Sequence, residues 1–304
     1  MKALGLAAIL LLAVAGEARA QAIQLSPRVS DALQMLRTGD RRGGAELERL
    51  AAAGDADAEF ILGTLLFEGH EGFPVDKARA CGLWKSAGLV RGDAAHLHGE
   101  CLQNAYAGGP RDPVAARAQY EKAITLGSPK SRCALGNMIA AGEGAPADPA
   151  RGLALCKEAA DAGDPDAQTD VANIYLTGKG APRDPVAAAR YYEMAVRKEE
   201  ANAALTLGQM YWNGDGVPKD RARAAQLWRL AYRKGRKEAA KLLGDEAFVR
   251  VLPPAEAGKA RTVDRAALDE STDWFERALK EDPSAKAVAT ERLELLRGLK
   301  ASLR

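Results

Sequence analysis

Five aspartates, Asp76, Asp112, Asp148, Asp184 and Asp220, stand 36 residues apart without a slip. Eight residues after each comes Trp84, Tyr120, Cys156, Tyr192 or Trp228. Upstream of each lies a small residue: Gly63, Gly99, Gly136, Ala172 or Gly208. A chain with this period cannot form one globular core. Each period is a supersecondary unit whose apolar stripe is buried only against its neighbours, so the units must stack.

Residues 201–235 show what one unit contains. Ala203, Leu207, Gly208 and Tyr211 fall at helical spacing, and Ala224, Trp228 and Ala231 form a second helical pattern. Between them Gly214-Asp215-Gly216-Val217-Pro218 breaks the helix, because glycine accepts positive φ and proline cannot continue the backbone ladder. The unit is therefore a helix–turn–helix hairpin. Leu207-Gly208, Tyr211, Gly214-Asp215-Gly216-Val217, Asp220, Ala224, Trp228, Ala231 and Gly235 together resemble the Sel1-like repeat, a relative of the tetratricopeptide repeat. The resemblance covers residues 54–235, about 60% of the chain. It implies an all-α, right-handed α-solenoid whose first helices line a concave face. It implies no reaction.

The ends are different. Residues 1–20 read as a secretory signal: Lys2 is the basic start, an apolar stretch runs over 4–14, and Ala18-Arg19-Ala20 is a small-x-small cleavage site. The mature chain then begins near Gln21 in a periplasmic or extracellular space, with no stable membrane anchor. Residues 21–53 are expected to form an N-terminal helical cap, with helices over 29–37 and 45–53. Residues 236–304 are expected to hold a degenerate repeat and a C-terminal cap, with helices over 237–251, 266–280 and 284–303. Leu243-Gly244 keeps the period, but no aspartate or aromatic after Gly235 does. Leu293, Leu295, Leu296, Leu299 and Leu303 of the last helix are expected to pack in the cap, with contact to a partner as the alternative.

Removing the leader lowers the formal charge from +2 to +1. That balance argues against a nucleic-acid partner and supplies no polybasic membrane patch. Four cysteines in an exported chain point to two disulfides, with three possible pairings. Antiparallel helices bring together residues equidistant from their connection. That favours Cys81–Cys101, centred on Arg91, and Cys133–Cys156, centred in the turn of the third unit. A buried free thiol at Cys156 is the alternative. Zinc lacks a C-x-x-C.

No motif carries chemistry. The Gly-x-Gly turns lack the phosphate-loop pattern G-x-x-x-x-G-K-[ST], and no strand precedes them. Arg111, Arg183 and Lys219 in these turns read as solvated. His98 fills a slot that is leucine in other units and reads as a hydrogen-bonded or rim histidine, not a metal ligand. Neither H-E-x-x-H nor G-x-S-x-G occurs. The Sel1-like resemblance does bring in cysteine-rich secreted proteins that bind or hydrolyse β-lactams. Their C-x7-C spacing is absent here, as is the serine β-lactamase set. No catalytic residue, cofactor or metal site is expected.

The expected function is that of an exported, non-enzymatic scaffold for a protein or an extended peptide. The alternatives are a cell-envelope binder or hydrolase of β-lactam or peptidoglycan fragments, and a structural component of an envelope assembly. Directly after each small slot stands a polar residue: Thr64, Glu100, Asn137, Asn173 and Gln209. By resemblance to tetratricopeptide arrays this column faces the groove, where amides can both donate to and accept from a peptide backbone. Phe60, Phe67, His96, Gln103, Thr169 and Trp212 are the neighbouring groove candidates.

Overall fold

The computed structural model describes residues 25–70, 72–252 and 262–303, and these form helices and turns with no strand among them. The signal-peptide assignment lies outside the described residues. Within those residues fifteen α-helices follow one another: α1 (Pro27–Arg37), α2 (Arg42–Ala52), α3 (Ala56–Glu68), α4 (Lys77–Ala87), α5 (Gly92–Asn104), α6 (Pro113–Thr125), α7 (Ser131–Ala141), α8 (Pro149–Asp161), α9 (Pro165–Thr177), α10 (Pro185–Val196), α11 (Ala201–Asn213), α12 (Arg221–Arg233), α13 (Ala239–Val251), α14 (Arg265–Glu281) and α15 (Lys286–Ser302). They fall into two compact units, one ending at Leu155 and one beginning at Cys156.

The periodic aspartates are N-caps. Each side chain accepts from the backbone N–H three residues on: Asp76 from Arg79, Asp112 from Ala115, Asp148 from Arg151, Asp184 from Ala187 and Asp220 from Arg223, at 2.9–3.0 Å. Each aspartate's own N–H also donates back to the preceding helix, to the carbonyls of Leu66, Leu102, Ile139, Tyr175 and Tyr211. One residue thus starts the second helix and ties it to the end of the first. The cap alone contributes about 1 kcal/mol.

The aromatic slot contributes more. A Cβ added to Gly63 would meet the Trp84 indole at 2.6 Å, to Gly99 the Tyr120 ring at 2.8 Å, and to Gly208 the Trp228 indole at 2.4 Å. The missing side chain is the space the ring occupies. These rings are almost wholly buried, and burying one removes about 150–250 Å² from water. At about 25 cal/mol per Å² that is roughly 4–6 kcal/mol, several times the cap. The polar edges are satisfied: the Trp84 and Trp228 N–H groups donate to the carbonyls of Phe60 and Leu205 at 3.2 and 3.1 Å. Burial pushes the Tyr192 hydroxyl up to about 12 and raises that of Tyr120 further, so both stay protonated donors. In the third period, where the ring is absent, the helices close further. A Cβ on Gly152 would lie 2.4 Å from the Gly136 carbonyl.

One expectation needs correction. Arg111 and Arg183 are not merely solvated. Arg111 donates to the Gln103 carbonyl at 2.5 Å and pairs with Glu143 of the next turn at 3.1 Å. Arg183 donates to the Leu176 carbonyl at 3.1 Å and pairs with Asp215 at 2.6 Å. Each guanidinium presents several donors, so it satisfies an open helix-end carbonyl and staples consecutive turns at once. After Gly235 the 36-residue period is lost, as expected of a degenerate repeat, since Asp264 stands 44 residues after Asp220, but the hairpin construction continues. α13 and α14 pack as a sixth hairpin. Asp264 caps α14 by accepting from Ala267, and its N–H donates to the Val251 carbonyl. Phe275 takes the ring slot against Gly244, whose added Cβ would meet it at 3.0 Å. Phe275 lies eleven residues after its aspartate rather than eight. The extra three residues return to the same helix face one turn on.

Cys81 and Cys101 are bonded (S–S 2.02 Å, Cα–Cα 5.9 Å). Cys133 and Cys156 are also disulfide-bonded, and no cysteine is free, so the expected pairings hold and the free-thiol alternative does not. In the second unit Glu270 joins Arg229 and Arg250 at 2.7 and 2.6 Å. Burial opposes its charge, yet the two guanidinium groups hold its carboxyl below the usual range.

Gly208→Leu tests the ring slot. A side chain there collides with the Trp228 indole and is expected to cost about 1–3 kcal/mol, read as lower thermal and urea midpoints. Unchanged midpoints would show that the slot is not a close contact.

Candidate functional site

The polar column lies at the surface between buried neighbours. Asn137 and Asn173 are exposed, and Thr64, Glu100 and Gln209 are half-buried. The residues on either side (63 and 65, 99 and 101, 136 and 138, 172, 208 and 210) are buried, with Ile174 half-buried. Small and apolar flanks fix the helix while the intervening side chain faces out. The first unit carries Thr64, Glu100 and Asn137; the second carries Asn173 and Gln209. Some of these groups are already engaged. Thr64 donates to its own helix at the Phe60 carbonyl (3.0 Å), Asn173 accepts from the Tyr192 hydroxyl, and Gln209 donates to Asn213 at 3.2 Å.

The neighbouring candidates divide. Phe67 and Trp212 are half-buried and lie against the ring slot, at 5.1 Å from Trp84 and 5.6 Å from Trp228. Gln103, one repeat after Phe67, accepts from Tyr120 at 2.9 Å and donates to Glu143 at 3.1 Å. Phe60 and Thr169 are buried and do not line a surface. Arg91 covers the Phe60 ring, and Thr169 donates to the Pro165 carbonyl at 2.9 Å. The core-facing side of the helix claims them. His98 is half-buried, and burial lowers its pKa, as suits a neutral core-edge imidazole. Among the described residues no group of His, Cys, Asp or Glu is placed to hold a metal ion.

One constellation is not foreshadowed by any sequence motif. His96 Nδ1 lies 3.0 Å from Ser131 Oγ, and His96 Nε2 lies 3.4 Å from Glu100 Oε1. The order hydroxyl–imidazole–carboxylate has the form of a nucleophile–base–orienter chain. Ser131, however, has 0% of its surface exposed, and its hydroxyl also reaches Ser128 at 3.3 Å. The signal that could have found it is the separation: His96 and Ser131 are 35 residues apart, one short of the period, which puts them on adjacent first helices.

In two repeats the residue that opens the second helix lies over an aromatic ring at the end of the first. Lys77 opens α4 and lies over Phe67; Arg221 opens α12 and lies over Trp212. In the three intervening repeats the first residue of the second helix is Pro113, Pro149 or Pro185, and the position of Phe67 is Gln103, Ala140 or Leu176. The turn after α5 also departs from the others. Ala105 adopts a left-handed conformation (φ 57°) where the corresponding residues are Gly69, Gly142, Gly178 and Gly214.

The Sel1 repeat profile matches residues 56–89, 92–128, 129–164, 165–199 and 201–235. Among solved structures, a Sel1 repeat protein from Oxalobacter formigenes superposes with a TM-score of 0.60 at 22% identity, over 83% of this chain and 97% of that one. The protective antigen c5321 of uropathogenic Escherichia coli, which displays an SLR fold, superposes with a TM-score of 0.57 at 22% identity, over 88% of this chain and 55% of that one. A search of curated proteins finds no match. These likenesses establish the fold, an α-solenoid of helix–turn–helix repeats. Among the described residues no helix is long and apolar enough to cross a membrane.

Ala105→Gly tests the strain in the turn after α5. A non-glycine residue in this region costs about 1–2 kcal/mol, against about 0.4–1 kcal/mol of extra unfolded-state entropy for glycine. The variant is expected to gain up to about 1 kcal/mol in urea unfolding. A loss would show that Ala105 is not strained.

Proposed function

The chain belongs to the Sel1 repeat family, and on that premise we propose that it is an exported, non-enzymatic scaffold that binds a protein or an extended peptide along the first helices of its repeats. The Sel1 repeat fold is typical of protein–protein interaction scaffolds. The observation that carries the reading is the polar column, which is more exposed than its flanking residues in every repeat, all of those buried but the half-buried Ile174. Its spacing is fixed by the hairpin, and its amides offer donors and acceptors to a main chain. Two disulfides support an oxidising, extracytoplasmic location, consistent with the leader read in the sequence.

The test is the combined change Asn137→Ala, Asn173→Ala and Gln209→Ala, compared with the parent in pull-downs from the native envelope. Partner recovery is expected to fall at least several-fold with the helical fold retained, while the thermal midpoint drops because the Tyr192 hydroxyl loses its Asn173 acceptor. Recovery of every partner at equal affinity would overturn the proposal.

A second reading, β-lactam or peptidoglycan-fragment hydrolysis, has one observation in its favour: the Ser131–His96–Glu100 chain. The complete burial of Ser131 weighs against it, because a nucleophile must reach its substrate. No turnover of a chromogenic cephalosporin above background is expected. Turnover that disappears in Ser131→Ala would reverse the ranking.

A further inference from the structure

Phe67, at the end of α3, and Tyr106, in the next turn of the array, meet edge to face with centroids 5.1 Å apart and planes at 70°. The Lys77 ammonium lies 5.0 Å from both centroids. Trp84 backs Phe67 at 5.1 Å, and its N–H is taken by the Phe60 carbonyl, so it is a wall of the site and not a donor to it. Lys77 is exposed, and no carboxylate pairs with it among the described residues. An ammonium held by two rings in place of a counter-ion is the arrangement of an aromatic cage, where the negative ring faces supply the attraction.

The sequence departs from its own period to build this arrangement. Tyr106 is the only Phe, Tyr or Trp at its turn position, where the other turns carry His70, Glu143, Lys179 and Asp215. The residue before it, Ala105, holds the left-handed conformation that four other repeats give to glycine. A strained backbone at such a point is a reason to look for function.

We infer that Phe67 and Tyr106 form a receptor for a lysine side chain of a peptide partner, and that Lys77 fills it in the free protein. This deepens the peptide-binding reading and rests on it. The present occupant is a compact primary ammonium equidistant from both rings, whereas the guanidinium carbon of Arg221 lies 5.2 Å from the centroid of the single ring of Trp212. The residues flanking the cage in sequence, Glu68 and Asp76, are exposed carboxylates, which favours an incoming cation. Lys77 is the first residue of α4, on an exposed and flexible stem, so it can leave without disturbing the rings.

The experiment uses the full chain and n-butylammonium as a lysine side-chain probe, read by the ring-proton NMR shifts of Phe67 and Tyr106. Removing the internal competitor by Lys77→Ala, or by Lys77→Gln as a second variant, is expected to tighten binding about two- to fivefold, the worth of one exposed cation–π contact. Adding Tyr106→Leu to either variant is expected to abolish the gain. Neutral n-butanol is expected not to compete. The inference is overturned if neither Lys77 variant gives saturable shifts, if Tyr106→Leu leaves them unchanged, or if n-butanol binds equally well. Tighter binding of tetramethylammonium than of n-butylammonium would remove the lysine assignment in favour of a quaternary ammonium. Neither Lys77 nor Tyr106 is changed in the amide triple variant, so failure of the cage and failure of the amide column are separate results.

Discussion

The contact between a buried ring on a second helix and a missing side chain on the first is the one on which the rest depends. It is large relative to the cap and the ion pairs, and it is local to one hairpin. Gly63 with Trp84, Gly99 with Tyr120, Gly208 with Trp228 and Gly244 with Phe275 repeat it. The third period shows what replaces it. Cys156 takes the ring's position as a buried half-cystine, and Gly152 lets the two helices approach to backbone contact. A covalent bond and a closer approach stand in for the lost ring area.

Much of this was legible because it depends on residue type at fixed spacing. The aspartates could be read as helix starts, the glycines as close-packing positions, and the cysteine pairs as facing one another, since each follows from helix geometry alone. The remainder depended on contacts between periods. Arg111 and Arg183 looked solvated within one turn, because their acidic partners lie in the next. Asp264 and Phe275 were hidden by the longer stretch before them and by a one-turn displacement of the ring. Phe60 and Thr169 were placed in a groove as neighbours of the polar column, but both are buried, with Arg91 and Glu200 at the start of the next repeat lying against them. The Ser131–His96–Glu100 chain joins two repeats and carries no motif within either.

The repeats are alike where they pack and different where they meet solvent. The first residue of each second helix varies together with the fourth residue after the small slot. Lys77 accompanies Phe67 and Arg221 accompanies Trp212, while proline accompanies Gln103, Ala140 and Leu176. The physical reason is that the side chain opening the second helix reaches over the end of the first. A proline there presets the helix start and covers little, whereas a long basic side chain lies across an aromatic face. Two repeats, one in each compact unit, are thereby marked out chemically from the three between them in the sequence.

The aspartate that ties the second helix to the first also sets how much chain each hairpin tolerates between them. In the fifth repeat α11 and α12 are joined through residues 214–220, and in the sixth hairpin α13 and α14 are joined through residues 252–264, yet the same backbone and side-chain bonds close both. Doubling a loop costs only about 0.6 kcal/mol, far below what one buried ring supplies. The connection inside a hairpin is therefore a point where foreign sequence can be carried as cargo. The array can gain a new surface there by insertion while its internal spacing is inherited unchanged.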